Sequence, residues 1–125
     1  MNIEGEKPQI QLSLQANGEL KATWGPSQGL WGKFTQDSDF VKVTVKEWWL
    51  FVGTKADPGH SEEQSQIEIV SQNVHNATEM IIKKDLLPKN KQVFAHVIGY
   101  FDSRNIAGEP IVEGIFSNVA HLLIK

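Results

Sequence analysis

FVKVTVKEWWLFVG, residues 40–53, is the most strand-like segment of the chain and decides how it folds. Val41, Val43 and Val45 fall on one side of an extended backbone and Lys42, Thr44 and Lys46 on the other, the period of a half-buried strand. From Trp48 to Val52 the segment becomes apolar on both sides. Adjacent strand residues point to opposite faces, so one inter-sheet core cannot hold both Trp48 and Trp49. A regular strand turns Val41, Val43, Val45, Trp49 and Phe51 inward and leaves Glu47 on the core side, which is unfavourable unless the carboxylate is paired or near an edge. A bulge near Lys46-Glu47 instead turns Trp48, Leu50 and Val52 inward. In both registers a tryptophan and an apolar neighbour face outward.

The same two-residue period runs through the rest of the chain. Ile10, Leu12 and Leu14 alternate with polar residues, Asn17-Gly18 follows, and Leu20, Ala22 and Trp24 alternate again. Two such runs around Asn-Gly form a strong local hairpin signal, although sandwich folds also join such strands across two sheets. Gly25–Asp39 and Thr54–Gln64 read as long loops, the first carrying Leu30, Trp31 and Phe34. Further strands are expected over Gln66–Ser71, Ala77–Ile82, Val93–Ile98 and Ile115–Ile124, with a turn at Pro88–Lys91 and a loop over Asp102–Pro110. No window has the 3.6-residue period of an amphipathic helix. About seven short strands with regular turns predict an all-β, antiparallel two-sheet sandwich, a single domain over residues 1–125.

Composition narrows the functional classes. The 125 residues are 40% hydrophobic and 22% charged, enough for one core but not two. With no cysteine there is no disulfide scaffold and no thiolate nucleophile or ligand. A net charge of -3 argues against a nucleic-acid partner. No apolar run approaches the ~18 residues of a spanning helix, and Met1–Lys7 lacks the pattern of a signal peptide. These features leave the compartment open, with a virion or a cell surface favoured over the cytoplasm.

Leu20-Lys21-Ala22-Thr23-Trp24-Gly25-Pro26 resembles the second strand of a fibronectin type III domain, which ends in Trp followed shortly by Pro. Leu86-Leu87-Pro88 before Val93–Val97 is similar to that family's Leu-containing turn before its sixth strand. Gly108-Glu109-Pro110 through Ser117 resembles the turn and Ser that open its last strand, and Val41-Lys42-Val43 sits where the third belongs. The resemblance implies a fibronectin type III-like or immunoglobulin-like sandwich. The family's corner Tyr would fall near Gln92 or Val93, and neither carries a phenol, so its hydroxyl-to-backbone bond is absent.

Candidate binding residues are therefore Trp48, Trp49, Phe51, Trp31 and Phe34. The loop at 25–39 can fold over the outward tryptophan and cover it with Trp31 and Phe34. Alternatively the face is a protein-protein or self-association surface, where tryptophan is enriched, or a glycan platform flanked by Gln28, Gln36 and Asp37. His60, His75, His96 and His121 show no metal-ligand spacing, and His60 with Glu62 and Glu63 reads as a solvated loop. No GxSxG, Walker-type or GxGxxG pattern occurs, so no catalytic residues, metal or cofactor are expected. Asn76-Ala77-Thr78 matches a glycosylation acceptor, and Lys83, Lys84, Lys89 and Lys91 read as an edge protected by lysines. The expected function is a non-enzymatic module working through protein contacts, structural or adhesive, as in a phage or virus particle. A carbohydrate-binding accessory domain of a secreted bacterial protein is the alternative.

Overall fold

Eleven strands alternate along the chain in the computed structural model, which describes residues 2–5, 8–25, 30–33, 41–43, 45–56, 68–104 and 107–125. They are β1 (Asn2–Gly5), β2 (Gln9–Leu14), β3 (Leu20–Gly25), β4 (Leu30–Lys33), β5 (Val41–Val43), β6 (Glu47–Gly53), β7 (Glu68–His75), β8 (Glu79–Ile82), β9 (Lys91–Arg104), β10 (Pro110–Phe116) and β11 (Ala120–Ile124). Eight of them form two packed antiparallel layers. One layer has the order β2-β3-β8. The other runs β7-β6-β9, with β10 and β11 end to end along the far side of β9. Strands β1, β4 and β5 form a separate three-stranded sheet.

The hairpin read from Asn17-Gly18 forms as a direct β2-β3 pair, Leu14 opposite Leu20 and Ile10 opposite Trp24. Gly18 takes φ +88°, a left-handed conformation that glycine adopts without strain. The Asn17 side-chain oxygen accepts the Glu19 N–H at 3.1 Å, the local bonding that favours Asn in turns. Leu20, Ala22 and Trp24 are all buried, as their alternation predicts.

The aromatic segment departs from the single strand its pattern suggests. Val41–Val43 pairs with Leu30–Gly32 in the small sheet, and a new strand begins at Glu47 in the five-stranded layer. Hence Val41-Lys42-Val43 is not the third strand of the sandwich; β6 is. Gly25–Asp39 is likewise not wholly a loop, because it contains β4. Between the two strands, the Lys46 N–H donates to the Tyr100 carbonyl at 2.8 Å, so this backbone group is satisfied just before β6 begins. The interruption selects the second register: Trp48, Leu50 and Val52 enter the inter-sheet core, and Trp49 and Phe51 turn to the outer face.

Room for the Trp48 ring comes from β9, whose Gly99 lies opposite it. Around the ring the core gathers Ile10, Leu20, Trp24, Ile82, Val93, Val97, Phe101, Ile115 and Ile124 from both layers. Each fully buried side chain of this size contributes about 1.5–3 kcal/mol relative to exposure. The core cluster includes Trp24, Trp48 and Phe101, and Val45 from the 41–45 run; the side chains of Val41 and Val43 lie outside the described residues.

Several boundaries differ from the pattern, among them the end of β7, which runs to His75 rather than Ser71. β9 runs on to Arg104, into the stretch expected as a loop. The last strand starts at Pro110 and breaks at 117–119, where three residues face two of β9, so Ser117 sits inside the strand's bulge rather than at its opening. Counted as one interrupted strand, β10-β11 brings the sandwich to seven. Lys84 belongs to a short 3-10 turn (Lys84–Leu86) that follows β8, and Lys91 opens the inner strand β9, so Lys91 is not on an edge.

Candidate functional site: the outer aromatic face

The outward side of the five-stranded layer carries the side chains that β6, β9, β10 and β11 leave out of the core. Cross-strand pairing sets Trp49 opposite Ile98 and Phe51 opposite His96, and Phe116 of β10 opposite Ile98 from the other side. Such directly opposed pairs are the unit of contact on a sheet face. The rings form a continuous ribbon. Trp49 and Phe51 stack with centroids 6.4 Å apart and planes at 20°. Phe51 lies 5.1 Å from the His96 ring, and His96 meets Phe116 nearly edge-on at 6.4 Å. Both distances suit offset or edge-to-face aromatic contact. Beside it Phe94 lies 6.0 Å from the His121 ring, and the Gln92 amide nitrogen is 2.9 Å from His121 Nδ1.

Burial grades across this face. Phe51, His96 and Ile98 are only 2–3% exposed although they point away from the inter-sheet core. Trp49 is partly exposed. Toward β10 and β11 the surface opens: Val112, Phe116, Val119 and Leu123 are 44–57% exposed, four of the seven large hydrophobic side chains most exposed among the described residues. A concentration of this kind on one strand differs from singly scattered apolar residues, which need no explanation. At the other flank, Glu47 accepts a hydrogen bond from the Asn73 side chain at 2.8 Å. The carboxylate that a regular strand would bury is therefore on the outer side and satisfied.

Of the five residues expected to bind, the structure brings Trp49 and Phe51 together here. Trp48 is not a surface residue: it is 1% exposed in the core, because the break before Glu47 reverses the direction of every following side chain. Trp31 has its backbone in β4, and its side chain, with all of Phe34, lies outside the described residues, as do Gln28, Gln36, Asp37, His60, Glu62 and Glu63. Phe94, His96, Phe116 and His121 were not anticipated as a group. A signal for half of it is present, since Phe94, His96 and Ile98 are every second residue of β9. Among the described residues no three His, Asp or Glu side chains converge on a possible metal position.

The fold and this face define an antiparallel β-sandwich with one apolar outer surface. A scan of family models, a search of curated proteins and a search of solved structures find no match to this chain. Among the described residues no helix is long and apolar enough to cross a membrane.

Proposed function

We propose that this chain is a fibronectin type III-like module without enzymatic activity, working through protein-protein contact on the outer face of its five-stranded layer. The observation that carries the reading is the run of exposed Val112, Phe116, Val119 and Leu123 beside the aromatic ribbon. Apolar surface gathered along one strand, with the partly exposed Trp49 on the same face, has the composition of an interface centre. The strand distribution supports the family reading. The fourth sandwich strand, β7, pairs with the third, β6, whereas an immunoglobulin constant-type domain carries its fourth strand in the opposite layer. A structural or adhesive unit, such as a component of a phage or virus particle, is the setting that suits such a module.

Co-purification with the proteins encoded beside it tests this. Phe116→Glu should abolish the association, while Ile81→Glu, an exposed apolar position on the opposite layer, should leave it intact. A tryptophan fluorescence shift on glycan titration, lost in Trp49→Ala, would replace the reading with carbohydrate binding.

A further inference from the structure

Asn17 is the only one of the chain's seven asparagines followed by glycine; the other six precede Ile, Val, Ala or Lys. Those side chains crowd the backbone nitrogen after the asparagine, and Gly18 leaves it open. An open nitrogen at this position can attack the asparagine side chain. The Gly18 nitrogen gives up its proton to a solvent base and bonds to Asn17 Cγ, closing a cyclic imide. The Cγ–Nδ2 bond breaks, and Nδ2 leaves as ammonia with the proton that the Gly18 nitrogen lost. Water then opens the imide at either carbonyl. The product is aspartate, or its isomer in which the side-chain carbon has entered the backbone.

The turn requires this labile pair and also restrains it. Gly18 has φ +88°, where any side chain is strained. Its N–H donates to the Gln15 carbonyl at 3.0 Å, the bond that closes the turn, so its proton is engaged away from Asn17. The Asn17 carboxamide is held toward Glu19 by both of its polar atoms. Oδ1 accepts the Glu19 N–H at 3.1 Å, and Nδ2 donates to the Glu19 carboxylate at 2.7 Å. Glu19 is itself fixed by its carbonyl, which accepts the Gln15 N–H at 2.7 Å. A carboxylate beside the carboxamide also opposes the negative charge that the attack builds on Oδ1.

We infer that Asn17 is a deamidation site, and that the Glu19 side chain slows the reaction while the hairpin is folded. For the imide to close, the carboxamide must leave Glu19 and the Gly18 N–H must leave Gln15, so the reaction waits on local opening of the turn. The product is also harder for the turn to hold. It has no Nδ2 donor, and it sets a second carboxylate against that of Glu19. The isomer in addition lengthens the backbone between Gln15 and Gly18, the two residues whose bond closes the turn. Pairing of β2 with β3 begins directly beyond it, with Leu14 opposite Leu20. Deamidation therefore loosens the hairpin at its tip.

Incubating the folded chain beside the same chain in guanidinium chloride, at mildly alkaline pH, tests this. Peptide mass mapping reads the reaction, since deamidation adds one dalton to the peptide that holds Asn17. Asn17 should be the main site in the unfolded chain and react at least about tenfold more slowly in the folded one, where several hydrogen bonds must open first. Glu19→Ala should speed the folded reaction about two- to tenfold, the rate factor of one hydrogen bond, and leave the unfolded rate unchanged. Glu19→Gln keeps an acceptor and should fall between. Lys21→Ala, which removes the ion pair with Glu79 just beyond the turn, should leave the folded rate as it was. Equal folded and unfolded rates overturn the inference, and so does a Glu19→Ala rate that matches the unmodified chain's in the folded state. An equal gain from Lys21→Ala overturns it too, because it would trace the effect to lost stability rather than to Glu19. An equal gain from Glu19→Ala in the unfolded chain does the same, tracing the effect to local sequence.

Discussion

At Gly99 the backbone of β9 passes so close beneath the core that a β-carbon there would lie 2.8 Å from Trp48 Cζ3 and 2.9 Å from Val45 Cγ2. No unusual backbone angle demands glycine at this position; the indole does. Both obstructing atoms are buried, one on a rigid ring and one on a branched side chain, so neither can swing away. Gly99→Ala is therefore an overpacking substitution, expected to destabilise by about 1–3 kcal/mol. Urea unfolding should show a lower midpoint with an unchanged slope, since the surface exposed on unfolding stays the same. A stability equal to that of the unmodified chain would mean that Trp48 does not sit where the structure places it. The sequence could not show this contact. Gly99 and Trp48 are far apart along the chain, and only strand pairing brings them together.

In β6, neighbouring tryptophans have separate fates. The segment was legible as a strand, and its doubly apolar end showed that one tryptophan must face outward. Which one depended on whether the backbone is continuous between Val45 and Glu47. That was decided by partners: Val41–Val43 pairs with β4, while β6 pairs with β7 and β9. On the β7 side the register also shifts at Trp48-Trp49, where Val74 is skipped between Asn73 and His75. The positions consequently predict different energetics. Trp48→Ala removes a fully buried side chain and should cost about 3–5 kcal/mol. Trp49→Ala, removing a partly exposed ring stacked on Phe51, should cost about 1–2 kcal/mol. Urea unfolding of the two variants measures the difference, and near-ultraviolet circular dichroism should lose more intensity from Trp48→Ala. Equal losses would argue for the regular-strand register.

Where β2 packs against β11, the Asn118 side chain links the two layers. The Asn118 amide accepts the Ile10 N–H at 2.8 Å and donates to the Ile10 carbonyl at 3.2 Å, mimicking a strand partner for the edge of β2. Asn118 is held by the bulge around it. The Ser117 N–H donates to the Val97 carbonyl at 3.0 Å, and its hydroxyl accepts the Val97 N–H at 2.9 Å. Asn118→Ala strands two backbone groups and should destabilise by about 1–3 kcal/mol. Asn118→Asp keeps the acceptor but loses the donor, and should fall between the two in urea midpoint. Faster amide exchange at Ile10 would locate the effect. A neutral Asn118→Ala would show that water serves Ile10 equally well. Nothing in the sequence near Asn118 announces this role, because its partner is 108 residues away.

What the sequence determined by itself was the class of fold, since two-residue alternation, turn residues and the absence of helical period all depend on near neighbours. It also determined the β2-β3 hairpin, from the Asn-Gly turn between matched strands. The tertiary structure decided which tryptophan is core, where the aromatic segment breaks, and which residues share the outer face. Those choices turn on strand register and pairing between distant segments, and a shift of one residue in register carries every later side chain to the opposite side.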